Sequence, residues 1–228
     1  MMAKVFIGVG HGGKDPGAEA NGLRESDVNL TMALAMQQAL ERHGVTVGIS
    51  RTRDEDDRLV EEIRECNAFG PDLAVEVHNN AGGGDGFEVY INGRDPVARR
   101  LAERIEAEVK AIGQNSRGVK TSTRLGWVRE VKAPAVLCEG FFLDSKDRVI
   151  ADTAEKQRAF GVAYAKGVLK ELGIPWKEEE TAKKSTLTAE QAAAREAIRI
   201  RFHFDEMTMT YLDGYRFAGA LYLRLAEK

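Results

Sequence analysis

Val5-Phe6-Ile7-Gly8-Val9-Gly10-His11-Gly12-Gly13-Lys14-Asp15-Pro16-Gly17-Ala18 is the stretch on which the fold turns. An apolar run of β-formers stops at a histidine flanked by glycines, so the imidazole is expected at the carboxyl end of a buried strand with no side chains crowding it. Open α/β sheets place their ligands there. Two further runs end on reactive side chains: Leu73-Ala74-Val75-Glu76-Val77 leads into His78-Asn79-Asn80, and Ala135-Val136-Leu137-Cys138 leads into Glu139-Gly140. Glu25, just past the first loop, adds a second carboxylate to this set.

Outward from these runs, Leu30, Ala33, Leu34 and Leu40 recur at helical spacing between Ser26 and His43, ahead of Gly44, and Val45 to Ser50 reads as a second strand. Asp57 to Phe69 reads as a charged helix that ends at Gly70-Pro71. Ala81 to Gly86 reads as a flexible turn, and Phe87 to Ile91 alternates as an edge strand would. Asp95-Pro96 then opens a helix carrying Val97, Leu101, Ile105 and Val109. Gly113 to Ala133 has no period and bears Arg117, Lys120, Arg124, Trp127, Arg129 and Lys132, as a functional or mobile loop would. Asp152 with Glu155 suits a capping box for a helix running to Leu172. Strands alternating with helices predict an α/β fold, a mainly parallel twisted sheet with helices on both faces.

The apolar-poor run from Lys177 to Thr186 predicts a boundary: a domain over 1–175, a charged linker over 176–186 and a small C-terminal helical hairpin over 187–228. In the hairpin, Thr188 and Gln191 form a capping box for a helix with Ala194, Ile198 and Phe202 on one side. Asp205 to Thr208 is expected to turn the chain into a second helix ending at Leu225. Its Tyr211, Leu212, Tyr215, Phe217, Ala218, Leu221, Tyr222 and Leu223 cover too much circumference for one stripe. So short a hairpin cannot bury all of that surface by itself: it must dock on the larger domain, pair with a copy of itself or bind something else, and aromatic and leucine surface without a basic groove or repeats favours self-association into a homo-oligomer over wall binding.

At 228 residues the chain has room for one large domain plus something small. A net charge of -3 with 30% charged residues gives no reason to expect nucleic acid as a partner. No apolar run approaches the ~20 residues of a membrane span, so no membrane insertion is expected. Met1 to Lys4 leads straight into the first strand without a signal-peptide pattern, which predicts a chain made in a cytoplasm and acting elsewhere only after release. Cys66 and Cys138 lie in apolar periodic segments and read as buried free thiols rather than a disulfide or metal site. Gly8-Val9-Gly10-His11-Gly12-Gly13 also matches the glycine fingerprint of a dinucleotide fold. That fingerprint needs a helix opening on its last glycine, and Asp15-Pro16-Gly17 interrupts the chain there; nor does an acidic residue close the second strand, which ends Ser50-Arg51.

Five separated motifs, Gly10-His11-Gly12-Gly13-x-Asp15-Pro16-Gly17-Ala18, Gly22-Leu23-x-Glu25, Arg51-Thr52-Arg53-Asp54, Val77-His78-Asn79-Asn80-Ala81 and Pro134 to Phe142, resemble the zinc-dependent N-acetylmuramoyl-L-alanine amidase family in order and content. The resemblance covers about residues 3 to 173. It implies His11, Glu25 and His78 as ligands of Zn2+ with an open fourth position, and Glu139 as the carboxylate that takes a proton from zinc-activated water and returns it to the leaving amine. The bond cut would join the muramic lactyl group of peptidoglycan to L-alanine. Departures from the family pattern, Val9-Gly10 before the first histidine motif and Glu76-Val77 before the second, touch no ligand.

Around this set, Glu76 precedes His78 by two positions, shares its strand face and is expected to orient it, with Asn79 beside them. Cys138 should point away from Glu139 to the opposite face. Arg117, Lys120 or Arg124 would meet carboxylates of the stem peptide, with Trp127 in the same loop, unless that loop is simply a solvated surface. Duller readings make Glu25 a partner of a helix dipole and Glu139 an ion-pair partner of Arg129 or Arg124; Arg53 and Arg58 read as structural ion-pair residues. A catalytic domain first, a short module last and no leader together resemble a phage or prophage endolysin. The alternatives are a bacterial autolysin of the same fold and a zinc peptidase cutting within the stem peptide. A non-enzymatic wall-binding module would lack a ligand or the free carboxylate, and none is missing.

Overall fold

The computed structural model describes residues 2–178, 187–202, 209 and 218–226. The chain divides into two compact units, Met1–Trp176 and Lys177–Lys228.

In the first unit a six-stranded sheet has the order β4-β1-β5-β8-β6-β7. Its strands are β1 (Lys4–Val9), β4 (Thr46–Ile49), β5 (Leu73–Asn80), β6 (Phe87–Ile91), β7 (Ser116–Thr121) and β8 (Ala135–Phe142). Every pairing is parallel except that of β6 with β8. A two-stranded hairpin, β2 (Glu19–Ala20) with β3 (Leu23–Arg24), sits in the loop after β1. The α/β expectation thus stands, but Phe87–Ile91 is an interior strand. The edge position on that side falls to β7, inside the segment that shows no period in sequence, and no residue of this short polar strand is fully buried.

Helices α1 (Glu25–Arg42), α3 (Pro96–Ala111) and α5 (Ala154–Glu171) cover one face, packing Met32, Met36, Leu101, Ile105, Phe160 and Tyr164 on Ile7, Val75, Val77 and Cys138. The other face is only partly covered, by α2 (Leu59–Phe69) and the short α4 (Gly126–Glu130), over Phe6, Ala74 and Leu137. Beyond these two helices that face stays open, and the reactive side chains stand there. Asp95 caps α3 through Oδ1, which accepts from the amides of Val97 and Ala98. At α5 the cap is Thr153, whose hydroxyl accepts from Lys156, rather than an Asp152–Glu155 box. The glycine-rich turn after β5 is anchored: the amides of Gly82 and Gly83 donate to Asp144, and that of Gly86 to Asp147.

Trp176 also belongs to this unit, one residue past the expected boundary, because it packs on the main core and stacks on His43 at 4.7 Å. In the second unit the Thr188–Gln191 capping box is present and starts α6 (Ala189–Arg201). Helix α7 (Ala218–Ala226) packs with it, around a small core of Ala194, Ile198, Met209 and Tyr222. The expected turn at Asp205 to Thr208 and the side chains of Tyr211, Leu212, Tyr215 and Phe217 lie outside the described residues, as does most of the linker.

Candidate active site

The site grows out of the end of β1. A Cβ on Gly10 would lie 2.2 Å from Nε2 of His78, so only glycine lets the chain pass behind that ring. The next residue, His11, takes φ 63, a left-handed conformation that costs an ordinary side chain free energy and is tolerated where the surroundings impose it. Arg51 braces the backbone beside it: wholly buried, its guanidinium donates to the carbonyls of Val9, Gly10, Ser26 and Arg53, tying the end of β1 to the start of α1. The loop is also fixed from outside, the Gly13 amide donating to Asp54 and that of Lys14 to Asp56. No helix opens on Gly13; the next begins at Glu25, so a phosphate-binding turn is not built here.

One ligand atom each from His11, Glu25 and His78 lie within 4.8 Å of one another. Nε2 of His11 is 3.4 Å from Oε2 of Glu25, and Nδ1 of His78 is 3.0 Å from Oε1. The outer nitrogens are held as well: Nδ1 of His11 lies 2.9 Å from Asp15 Oδ2, and Nε2 of His78 lies 3.4 Å from Glu76 Oε1. With protons on those outer nitrogens, each inner nitrogen can offer a lone pair to a cation lying beside the carboxylate.

Electrostatics agree with a site built for a cation. Burial pushes the Glu25 carboxyl up, but hydrogen bonds from His11 and His78 outweigh it and hold the group far below the ordinary range. The His11 imidazole is raised by its bond to Glu25, against burial. Burial lowers His78, yet Glu25 and Glu76 overcome that and raise it well above its usual value. Without a metal, protons occupy the place a divalent ion would take, and two nitrogens with one oxygen are a donor set that suits one.

Glu139 stands directly across from His78 in the β5–β8 ladder. Its Oε2 is buried with no hydrogen-bond partner among the described residues, and burial pushes the carboxyl up to about 7. The ion-pair reading has no support: Arg129 is bound to Glu130 instead. Cys138 points to the opposite face, buried in the main core, and Cys66 is a second buried free thiol.

The remaining sequence candidates separate. Glu76 reaches His78 as its strand face requires. Asn79 holds Glu25 through its backbone amide at 3.1 Å, while its side chain runs back to Asn29 on α1, so it braces the site from behind. Trp127 is a core residue: fully buried against Phe6, its indole N–H donates to the Val136 carbonyl. The short helix α4, too brief to show a period, turns it inward. Arg124 is exposed and reaches none of these groups, whereas Arg117 and Lys120 both bind Glu88, which neighbours Glu139. Arg53 pairs with Glu55.

Sequence reasoning misses Asp15, Arg51, Glu62 and Glu88. Glu62, buried on α2, accepts from the Val9 amide at 2.9 Å, and burial raises its carboxyl. Asp15 is signalled by its place four residues after His11, and Glu62 by a lone charge among the apolar positions of its helix. Arg51 stands in one of the motifs that carry the resemblance, but nothing local gives it a role, and Glu88 carries no local signal, because their partners come from distant segments.

Set against known proteins, residues 5–170 match the family model described as N-acetylmuramoyl-L-alanine amidase. The chain is 34% identical over 205 residues to the N-acetylmuramoyl-L-alanine amidase CwlM of Bacillus licheniformis, covering 85% of this chain and 81% of that one. It is 34% identical over 199 residues to an endolysin of Bacillus phage SPP1, covering 79% and 73%. Among solved structures it resembles the catalytic domain of CwlV, an N-acetylmuramoyl-L-alanine amidase of Bacillus (Paenibacillus) polymyxa var. colistinus, at TM-score 0.71 and 25% identity over 76% of this chain and 100% of that one. Cwp6 from Clostridium difficile gives TM-score 0.74 at 30% identity, over 75% of this chain and 30% of that one. With the family's fold, and with histidines and glutamates gathered where the sheet stands open, the chain belongs to the N-acetylmuramoyl-L-alanine amidase family.

Proposed function

We propose that the chain hydrolyses the amide between the muramic lactyl group and L-alanine in peptidoglycan, holding Zn2+ through His11, Glu25 and His78 and moving protons through Glu139. The observation that carries this reading is the convergence of three ligand atoms within 4.8 Å beside a buried carboxyl that none of them binds. When bound, the ion supplies a Lewis acid that polarises the amide carbonyl and acidifies water.

The chain's own side chains do the rest. Asp15 and Glu76 hold the two imidazoles in the tautomer and orientation that leave the inner nitrogens free. Glu139 Oε2 is the atom left to accept a proton and pass it to the departing alanine nitrogen. Burial raises this carboxyl above the ordinary range, as suits a group that takes up a proton and gives it back. A ligand set of this kind fixes hydrolysis rather than the choice of amide, so a peptidase within the stem peptide is the competing chemistry. Family membership favours the muramoyl-alanine bond.

Likeness to the phage SPP1 endolysin supports a role in lysis of a bacterial host, and likeness to CwlM supports the autolysin alternative. Among the described residues no helix is long and apolar enough to cross a membrane. We assign catalysis to residues 1–176 and give 187–228 the role of a self-associating module. Mass analysis of purified peptidoglycan digested with wild type and with Glu139→Gln tests the activity. New free L-alanine amino termini that depend on Glu139 are expected; a different new terminus would make the chain a peptidase.

A further inference from the structure

Across the sheet, the site continues past Glu139. On the open face, His78 on β5 is followed by Glu139 on β8, then Glu88 on β6, then Arg117 and Lys120 on β7. Alternation alone would send residues 117 and 120 to opposite faces. They share one because the β6–β7 register slips: Phe87 faces Ser116 and Val89 faces Val119, so Arg117 and Gly118 together oppose Glu88. Gly118 takes φ 86, which glycine adopts without strain, and the extra residue re-aims the arginine.

Glu88 is 3% exposed and every one of its oxygens is engaged. Oε1 accepts from Arg117 Nε and Lys120 Nζ, and Oε2 from the Tyr90 hydroxyl at 2.8 Å and from Asn80 Nδ2 at 3.5 Å. One buried carboxylate therefore faces two cations and leaves a surplus positive charge. Arg117 is 44% exposed, steadied by Nε on Glu88 and by the Phe142 ring, whose centre lies 5.5 Å from the guanidinium carbon. Among the described residues neither of its Nη nitrogens is hydrogen-bonded. A planar fork of donors is thus fixed in place, presented to solvent and unspent.

Resting on the proposed amide hydrolysis, we infer that Arg117, with Lys120, binds a carboxylate on the peptide side of the substrate, that of the second residue after the scissile bond. The direction follows from the order across the sheet. The carbonyl must lie at the His11–Glu25–His78 cluster and the departing nitrogen next to Glu139, so the peptide leaves towards β6 and β7. Strand spacing puts β7 roughly 10 Å from β8. An extended peptide covers ~7 Å in two residues, and an arginine side chain bridges the difference. Glu88 serves as the positioning residue that holds the fork.

The test uses the full chain with its metal and two muramoyl peptides that differ only in a free carboxylate or a carboxamide on the second peptide residue. Wild type is expected to prefer the acid by about tenfold or more in kcat/KM, through KM, and to lose that preference as salt is raised. Arg117→Gln should bring the ratio of the two substrates towards one, and Lys120→Gln, a second variant should the first fold poorly, should lower it as well. Arg124→Gln, an exposed residue outside the site, should keep it. Equal preference in wild type, or a ratio unmoved by both Arg117→Gln and Lys120→Gln, overturns the subsite while leaving amide hydrolysis standing. Failure of wild type to release L-alanine termini from either substrate overturns both.

Discussion

Asp15 Oδ2 lies 2.9 Å from Nδ1 of His11, four residues away in a turn closed by reciprocal backbone bonds between Gly12 and Asp15. The carboxylate settles which nitrogen of the ring faces Glu25, and it does so from the same loop that forces His11 into its left-handed conformation. Candidate ligand and orienter thus form one local unit, whereas His78 borrows Glu76 from its own strand.

Removing either orienter should loosen the metal without unfolding the protein. Asp15→Ala and Glu76→Gln are each expected to weaken zinc affinity by about 10–100-fold, measured by competition with a chromogenic chelator. Unchanged affinity in both would strip these carboxylates of their orienting role.

Glu139→Gln should cut turnover by about 10²–10⁴-fold while zinc still binds. Its effect on the metal-free protein has a definite sign. The Glu139 carboxyl titrates near 7 in the folded state against an ordinary 4.5, so the stability it contributes is full below 4.5 and lost as pH rises through 7. At pH 8 chelator-treated Glu139→Gln should be more stable than wild type, by up to about 3 kcal/mol, with no difference at pH 4. Paired urea melts at the two pH values decide it.

Zinc binding should strengthen as pH rises through neutrality. Both imidazoles are raised above their ordinary 6.5 by Glu25, so protons compete with the ion to a higher pH than two isolated histidines would allow. In the metal-free protein the His11 and His78 contributions are full below 6.5 and lost above their raised values. That of the depressed Glu25 is present above its ordinary 4.5 and lost in acid. Metal-free stability should therefore peak at about pH 5–6. A thermal-melt series showing its maximum above pH 8 would contradict these couplings.

Trp127→Ala should cost about 3–5 kcal/mol of stability, as a buried indole does, and Arg124→Ala within about 0.5 kcal/mol of nothing. Denaturant midpoints check both. A Trp127→Ala protein of native stability but impaired KM would return that residue to the substrate.

Chains ending at Trp176 and at Pro175 should differ. Trp176 stacks on His43 and lies under the cations of Arg42 and Lys166, so its loss should cost about 1–3 kcal/mol. The chain ending at Trp176 is expected to fold and hydrolyse peptidoglycan alone. Light scattering on it should show a smaller species than the full chain, and an unchanged oligomeric state would rule out self-association through residues 187–228.

The sequence by itself determined the alternation of strand and helix, the placing of His11, His78 and Glu139 at the ends of apolar runs, and the pointing of Glu76 with His78. Each of these follows from a local rule, an apolar run ending on a polar residue or the period of a strand, and local rules are written in consecutive residues; Glu25 follows from no such rule and entered through the family resemblance. Only the tertiary structure decided that Trp127 is core, that β6 lies inside the sheet and that Arg51 ties four carbonyls together. It alone set Arg117 and Lys120 on one face beside Glu88, since no period in 113–133 foretells a bulge at Gly118. The physical reason is common to all four: each depends on a partner supplied by a distant segment, and burial, strand order and register exist only once those segments meet.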